Sequence, residues 1–411
     1  MNWTPQLCDF IQQHLNDDTA SLLLAARRFE LIDMPFAVNQ IEARRRLKDK
    51  LPAWYDNPDL VMGGRVPAEQ CSSEQTARYK REIIQGESLC DLTGGMGVDF
   101  WYLSEGMQKA IYTERNAQLC EVAQYNFQVL QDDAHPVPEV RCGDGLTLPL
   151  PQVDVIYIDP ARRATDGSRV YSVEDCEPNV VEWQDELLSH AQTVLVKLSP
   201  MVDITDVARR LKGVQEIHVV GVKNECKEIL VKMSAGGTAG SSCEEDPVRN
   251  TPMPIMVRCV DFLSSGKITH AFPLAEVSKP APSIAGGQVG LYLYEPDVTL
   301  MKARGFASLC DSFGVRQLAS STHLMTSNKA AADFPGRIFE IEEVLPFSSK
   351  QIKRLKTQIP QANIAVRNFV MTADTLRKRL GVKDGGEVYL FGANVSGAGD
   401  MLLKCRKFTV K

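Results

Sequence analysis

The chain reads as an α/β protein built on an open, mostly parallel sheet, and three observations predict this. Leu89-Cys90-Asp91-Leu92-Thr93-Gly94-Gly95-Met96-Gly97-Val98-Asp99 is a short apolar strand running straight into a glycine-rich turn, with an apolar helix from Phe100 to Leu103 behind it. Further apolar strand segments alternate with helical stretches, as in βαβ units. Each of the first four strands then ends in a carboxylate, at Asp91, Glu114, Asp144 and Asp159. In open α/β sheets ligands bind at the carboxyl ends of the strands. Gly94, Gly95 and Gly97 leave the backbone free to approach a ligand or to take positive φ.

The elements follow in order. Residues 1–80 are mostly helical, with apolar positions at helical spacing in Phe10 to Leu15 and Ala20 to Leu31. Arg44-Arg45-Arg46 reads as a solvated helix face. Ser72 with Gln75 fits a capping box opening a helix to Ile84, stopped by Gly86. Lys109 to Glu114 is a second strand, and Glu114 falls 17 positions after Gly97. That is close to the ~20-residue spacing at which an acid holds ribose hydroxyls in dinucleotide folds. A helix spans Asn116 to Gln131. Val140 to Gly145 ends a third strand, with Asp144 at its tip.

Val153 to Ile158 is near-continuously apolar, as a strand covered on both faces should be, and Asp159-Pro160 follows it. The helix from Glu177 to Ala191 has Pro178 suited to its first turn. Thr193 to Leu198 is a fifth strand before Ser199-Pro200. Solubility alone does not ask for carboxylates at Asp91, Glu114, Asp144 and Asp159 together.

Asp203 caps a short helix, and Glu216 to Val222 pairs with Cys226 to Met233 through a turn at Asn224 to Glu228. Residues 234–250 read as a loop, and Pro254 to Phe262 with Ile268 to Pro273 as one more hairpin. A Pro-rich break from Ser278 to Ser283 marks a domain boundary. Beyond it, a strand at Leu291 to Tyr294, a helix from Asp297 to Phe313 closed by Gly314, and a strand at Val315 to Leu318 make half of a small ferredoxin-like unit. Last come strands at Arg337 to Val344, Ile364 to Val370, Glu387 to Phe391 and Met401 to Phe408. Basic helices, Ser349 to Thr357 and Thr372 to Leu380, lie among them.

The motifs Asp-Leu-Thr-Gly-Gly-Met-Gly, Thr-Glu-Arg-Asn, Gly-Asp-Gly and Ile-Asp-Pro-Ala-Arg-Arg, in this order, resemble those of class I S-adenosylmethionine-dependent methyltransferases. Phe334-Pro335-Gly336-Arg337, Val366-Arg367-Asn368-Phe369 and Leu376-Arg377-Lys378 resemble the THUMP-like C-terminal domain of a bacterial branch of that family. The resemblance implies a Rossmann-like methyltransferase sheet with an N-terminal helical region and small C-terminal α+β modules, ferredoxin-like and THUMP-like. The expected domains are 1–80 helical, 81–273 methyltransferase, 274–330 ferredoxin-like and 331–411 THUMP-like. It also implies S-adenosylmethionine as cofactor, with Asp91, Thr93, Gly94, Gly95 and Gly97 around its methionine part, Glu114 at the ribose and Asp144 by the adenine.

The resemblance places Asp159 and Pro160 facing the substrate. Arg162, Arg163 and Lys197 are candidate contacts to a substrate phosphate or carboxylate; the arginines could equally pair with Asp166, Glu174 or Asp175. RNA 5-methyluridine enzymes use a cysteine after strand five. Here Lys197-Leu198-Ser199-Pro200 stands in that place, so the chemistry is expected to proceed without a cysteine nucleophile.

Composition narrows the class. The chain has 411 residues, 44% hydrophobic and 24% charged, and no apolar run long enough to span a membrane. Eleven cysteines without a Cys-x-x-Cys pair point to reduced thiols, hence a cytoplasmic setting. Scattered histidines suggest no metal site. The net charge is −6, yet residues 336–411 hold 14 Lys and Arg against 7 acids, leaving the remainder near −13. This asymmetry marks a basic module on an acidic body, with Lys353, Arg354, Lys356, Arg377, Lys378 and Arg379 as phosphate contacts. The expected function is therefore methylation of a base in structured RNA, tRNA or rRNA. The alternatives are a small-molecule or protein methyltransferase, or a non-catalytic RNA-binding protein. A nicotinamide dehydrogenase is disfavoured, because Phe100 stands where its last glycine belongs.

Overall fold

The computed structural model describes residues 3–162, 173–235 and 253–409. The chain folds as two compact units, one of residues 1–215 with 229–253 and one of 216–228 with 254–411.

The first unit opens with six helices: α1 (Pro5–Gln13), α2 (Thr19–Leu24), α3 (Met34–Leu47), α4 (Pro52–Tyr55), α5 (Arg65–Gln70) and α6 (Glu74–Ile83). Leu7, Phe10, Ile11, Met34, Ala37 and Ile41 form the core under α1 to α3. The three arginines of α3 do not form a solvated face. Arg44 is wholly buried, its guanidinium donating to the carbonyls of Asn57 at 3.1 Å, Pro58 at 2.9 Å and Leu60. Arg45 binds the Leu15 carbonyl at 2.6 Å, and Arg46 pairs with Glu69. Burial of a guanidinium is tolerated only with such partners, and these come from distant loops that local pattern does not reveal. Ser73 rather than Ser72 caps α6, accepting from the Thr76 N–H at 3.2 Å.

Then follow β1 (Ser88–Asp91), α7 (Val98–Leu103), β2 (Lys109–Glu114), α8 (Ala117–Leu130), β3 (Glu139–Cys142), β4 (Val153–Ile158), the short pair β5 (Ala161–Arg162) and β6 (Cys176–Glu177), α9 (Val180–His190), β7 (Ala191–Leu198), α10 (Ile204–Arg210), β8 (Val214–Val222) and β9 (Glu225–Met233). Strands β3, β2, β1, β4 and β7 lie side by side and parallel, with β9 antiparallel on β7. Chain order reverses between β1 and β4, which is the switch point where such sheets bind ligands. Asn116 caps α8 and Asp203 caps α10. Asn179 caps α9, so Pro178 precedes that helix instead of lying in its first turn. The turn between β8 and β9 is the left-handed pair Lys223–Asn224.

The second unit holds β8, β10 (Met256–Leu263) and β11 (Gly266–Pro273), with β10 parallel to β8 and antiparallel to β11. Its larger sheet comprises β12 (Tyr292–Pro296), β13 (Arg316–Gln317), β14 (Met325–Ser327), β15 (Gly336–Pro346), β16 (Asn363–Arg367), β17 (Val388–Val395) and β18 (Gly399–Lys407), in the order β13-β14-β12-β15-β18-β17-β16. The expected helix from Asp297 to Phe313 is two, α11 (Val298–Ala303) and α12 (Phe306–Phe313), broken where Arg304 turns left-handed before Gly305. Helices α13 (Ser349–Gln358) and α14 (Ala373–Leu380) share a core of Leu355, Ile359, Leu376 and Leu380 with Leu390 and Leu402 of the sheet.

The glycine turn after β1 is fixed by packing as well as by backbone angle. A Cβ on Gly94 would sit 2.1 Å from the Tyr112 ring, whereas one on Gly95 would meet nothing nearer than 3.9 Å. Gly95 and Gly97 take φ of 56° and 82°. Gly94→Ala is therefore expected to cost about 2–3 kcal/mol or more through overpacking, and Gly95→Ala only ~1–2 kcal/mol for the left-handed residue. Urea denaturation of the two variants checks the order.

Candidate active site at the switch point

The carboxyl ends of β1, β2, β3 and β4 bring the predicted acids to one rim of the first unit. Asp91 closes β1 and is buried. Its Oδ1 accepts from the Thr93 N–H at 2.9 Å, and the Asp159 N–H after β4 donates to Thr93 Oγ1 at 2.7 Å. Thr93 thus ties the two strands that flank the switch point. Glu114 ends β2, and its carboxylate accepts from the Gly95 N–H and the Asn116 N–H, both at 2.8 Å. Tyr112 donates its hydroxyl to the Gly95 carbonyl at 2.6 Å. These bonds hold the glycine turn against the end of β2. Asp144 lies exposed beyond β3, its Oδ1 accepting from the Leu146 N–H at 3.0 Å.

Behind this rim lies a buried ionic cluster that the strand pattern did not reveal. Asp99, in the first turn of α7, faces Lys80 of α6 at 3.2 Å and Lys197 of β7 at 3.5 Å. It also accepts from the hydroxyls of Ser72 and Tyr157, both at 2.7 Å. Burial alone would raise this carboxyl, but Lys80 and Lys197 overcome it and hold Asp99 well below the usual carboxylate range. Lys197 reaches further, to Asp159 Oδ2 at 2.6 Å. Lys197 is thus joined to the two acids, not directed at solvent. The Asp159 side chain is 37% exposed.

Asp91 stands in contrast. Its Oδ2 is buried without a hydrogen-bond partner. Desolvation, abetted by the charges of Asp99, Asp159 and Glu114, pushes this carboxyl well above its ordinary value. A buried carboxylate of this kind gains from a cationic ligand group, and the amino group of S-adenosylmethionine has that charge. The open space over Gly95 and the acceptors of Glu114 fit the same cofactor.

Other predicted residues fall elsewhere. Pro160 is buried at the end of the strand-four motif. The Arg162 side chain and Arg163 lie outside the described residues, and Glu174 pairs with Arg210. Cys71 lies within electrostatic range of Asp99 and Lys197, but burial raises its thiol and its Sγ donates to the Ala68 carbonyl at 3.4 Å. That is the environment of an inert thiol. Among the described residues no cluster of three metal-ligating side chains occurs. In the second unit Lys353, Arg354 and Arg379 are exposed, while Arg377 is half-buried.

Asp99→Asn would remove the carboxylate charge that the buried Lys80 faces at 3.2 Å. We expect it to cost about 3–5 kcal/mol, measured by urea denaturation. Lys80→Met should cost less, because Lys197 still neutralises Asp99.

Comparison with known proteins agrees with this architecture. A family model described as THUMP domain-like matches residues 336–407, and one described as a ferredoxin-like domain matches 292–335. A crystal structure from Porphyromonas gingivalis W83, named a "putative methyltransferase", is 33% identical over 100% of both chains, with a TM-score of 0.84. The Pyrococcus abyssi tRNA (uracil-54, C5)-methyltransferase bound to S-adenosyl-L-homocysteine is 16% identical over 43% of this chain and 41% of that one, with a TM-score of 0.29. No curated protein matches the chain. At full coverage and one-third identity, the chain belongs to the methyltransferase family of the Porphyromonas protein, with ferredoxin-like and THUMP-like domains at the C-terminal end.

Proposed function

We propose that the protein transfers a methyl group from S-adenosylmethionine to a base of structured RNA, tRNA or rRNA, without a cysteine nucleophile. The observation that carries the cofactor assignment is the buried, unpartnered Oδ2 of Asp91 beside an open glycine turn. Asp91, Thr93, Gly94, Gly95 and Gly97 would hold the methionine part, Glu114 the ribose and Asp144 the adenine end. A sulfonium is already an activated methyl donor, so the chain's task is to hold the acceptor in line. Lys197 fixes one oxygen of Asp159 and leaves the other to accept from, and so orient, an amine of the substrate. Pro160 stiffens the backbone there. Arg162 and Arg163 remain candidate contacts to a substrate anion.

The RNA assignment is supported by α13 and α14. Arg354 is neutralised by Glu343 at 2.7 Å, and Arg377 by Asp384 at 2.7 Å and Asp374 at 3.1 Å. Lys353, Lys356, Lys378 and Arg379 form no ion pair among the described residues and are exposed. The two helices share one core, so these four charges belong to adjoining elements. Such a cluster attracts a phosphate backbone in a salt-dependent way.

Four measurements test the proposal. Asp91→Asn should raise the thermal midpoint of the ligand-free protein at pH 7, because ionising the raised carboxyl costs the native state stability as pH climbs through its folded pKa. The gain should vanish below about pH 4, where the carboxyl is protonated in both states. By calorimetry the same variant should bind S-adenosylmethionine at least ten times more weakly. Unchanged affinity would remove the cofactor assignment. Lys353→Glu with Arg379→Glu should weaken tRNA binding about tenfold or more at low salt, whereas Arg354→Ala and Arg377→Ala should have smaller effects. Equal binding by all variants would set the RNA reading aside, and tritiated-methyl transfer to bulk tRNA, lost in Asp159→Asn, would support it.

A further inference from the structure

A second constellation of charge lies on the sheet strands rather than on the basic helices. Glu295, on β12, is 4% exposed and serves two arginines at once. Its Oε2 accepts from Arg337 Nε at 2.7 Å and from Arg337 Nη2, and its Oε1 accepts from Arg367 Nη2 at 2.7 Å. Arg367 spends one more donor on the Val366 carbonyl at 2.9 Å. Arg337 and Glu295 are direct cross-strand partners on β15 and β12, whereas Arg367 ends β16, at the far edge of the sheet.

The charges do not balance. One buried carboxylate neutralises one guanidinium, and neither arginine pairs with another acid among the described residues. A clasp alone would need a single arginine. The pair therefore keeps one positive charge, on side chains that are 52% and 36% exposed. A guanidinium has five N–H donors. Arg337 spends two and Arg367 two, so most of the fork remains available. Because both forks grip the same carboxylate, their outer edges are held close together and lose little freedom when they take a ligand. Asn368, next in the chain, is held left-handed at φ 46°. His323, whose Nδ1 is buried without a hydrogen-bond partner, lies within electrostatic range of Arg367.

We propose that Arg337 and Arg367, pre-set by Glu295, form a binding site for a phosphate group. Paired guanidinium forks match the geometry of a phosphate better than point charges do. The phosphate belongs either to a nucleic-acid backbone or to a free anion. The site extends the RNA reading without resting on it.

The test uses the full chain and two probes: inorganic phosphate followed by 31P line broadening, and bulk tRNA followed by fluorescence anisotropy over a potassium chloride series. Arg337→Gln and Arg367→Gln should each lower phosphate affinity about tenfold. If the backbone is the source, each should also reduce the log–log salt slope for tRNA by about one. Glu295→Gln should act the opposite way on binding, tightening phosphate severalfold while it lowers the melting temperature. A purely structural clasp would lower the melting temperature in all three variants without changing anion binding, and that result overturns the site. Arg367→Lys guards against misfolding, since it keeps the charge and should retain partial binding. Phosphate binding lost in the variants, with no tRNA binding by the wild type, would leave the site standing and remove the RNA reading. Binding of tRNA that depends on α13 and α14 alone, with phosphate unaffected by the arginine changes, would do the reverse.

Discussion

Asp99 is placed where α6, α7, β4 and β7 converge, and its carboxylate is what allows those elements to bury two lysines. Its charge offsets the cost of holding the Lys80 ammonium in the interior and shares that of Lys197 with Asp159. With it, the ammonium of Lys197 is held where it can reach past Asp99 to Asp159. The position of Asp159 at the rim is thus set from behind, by a cluster that faces the interior. Ser72 and Tyr157 complete the arrangement by donating to the same carboxylate, so a loop ahead of α6 and a central strand share one anchor.

The neighbouring Asp91 shows the opposite use of burial. Asp99 is ionised because Lys80 and Lys197 overcome its burial; Asp91 is kept from ionising readily by burial, with neighbouring acids adding to it. Two carboxylates a few residues apart therefore have their titrations pushed in opposite directions by their environments, a pattern common at functional sites. One holds the architecture, and the other is left dependent on what binds beside it. The glycine turn between them is constrained from both sides, by the Tyr112 ring under Gly94 and by Glu114 on the Gly95 N–H.

Much of this was legible in the sequence, for identifiable reasons. Strand ends carrying Asp91, Glu114, Asp144 and Asp159 follow from local hydrophobic pattern and spacing, and the sheet brings them to one rim. Lys80, Ser72 and Tyr157 were not legible as site residues. Each looks like an ordinary helix, cap or strand residue, and each joins the cluster around Asp99 only through packing between elements distant in the chain. The inward-turned Arg44 failed for the same reason, since its partners are carbonyls eleven to sixteen residues further along the chain. The break between α11 and α12 was missed because Arg304 adopts a left-handed turn that its side chain does not advertise. The electropositive helices α13 and α14 were visible as composition, but only the structure separates neutralised arginines from unpaired lysines.

The seam between the ferredoxin-like and THUMP-like segments runs between β12 and β15, which pair along five residues and are riveted by Glu295 and Arg337. Units that look separable in sequence are therefore one hydrogen-bonded sheet. A recombination event that exchanged the last segment alone would strip β15 of a partner along five residues and leave that edge open to aggregation. Inheritance of the two segments as a single block is what that geometry favours, and a transplant of this region into another enzyme would have to begin upstream of Tyr292.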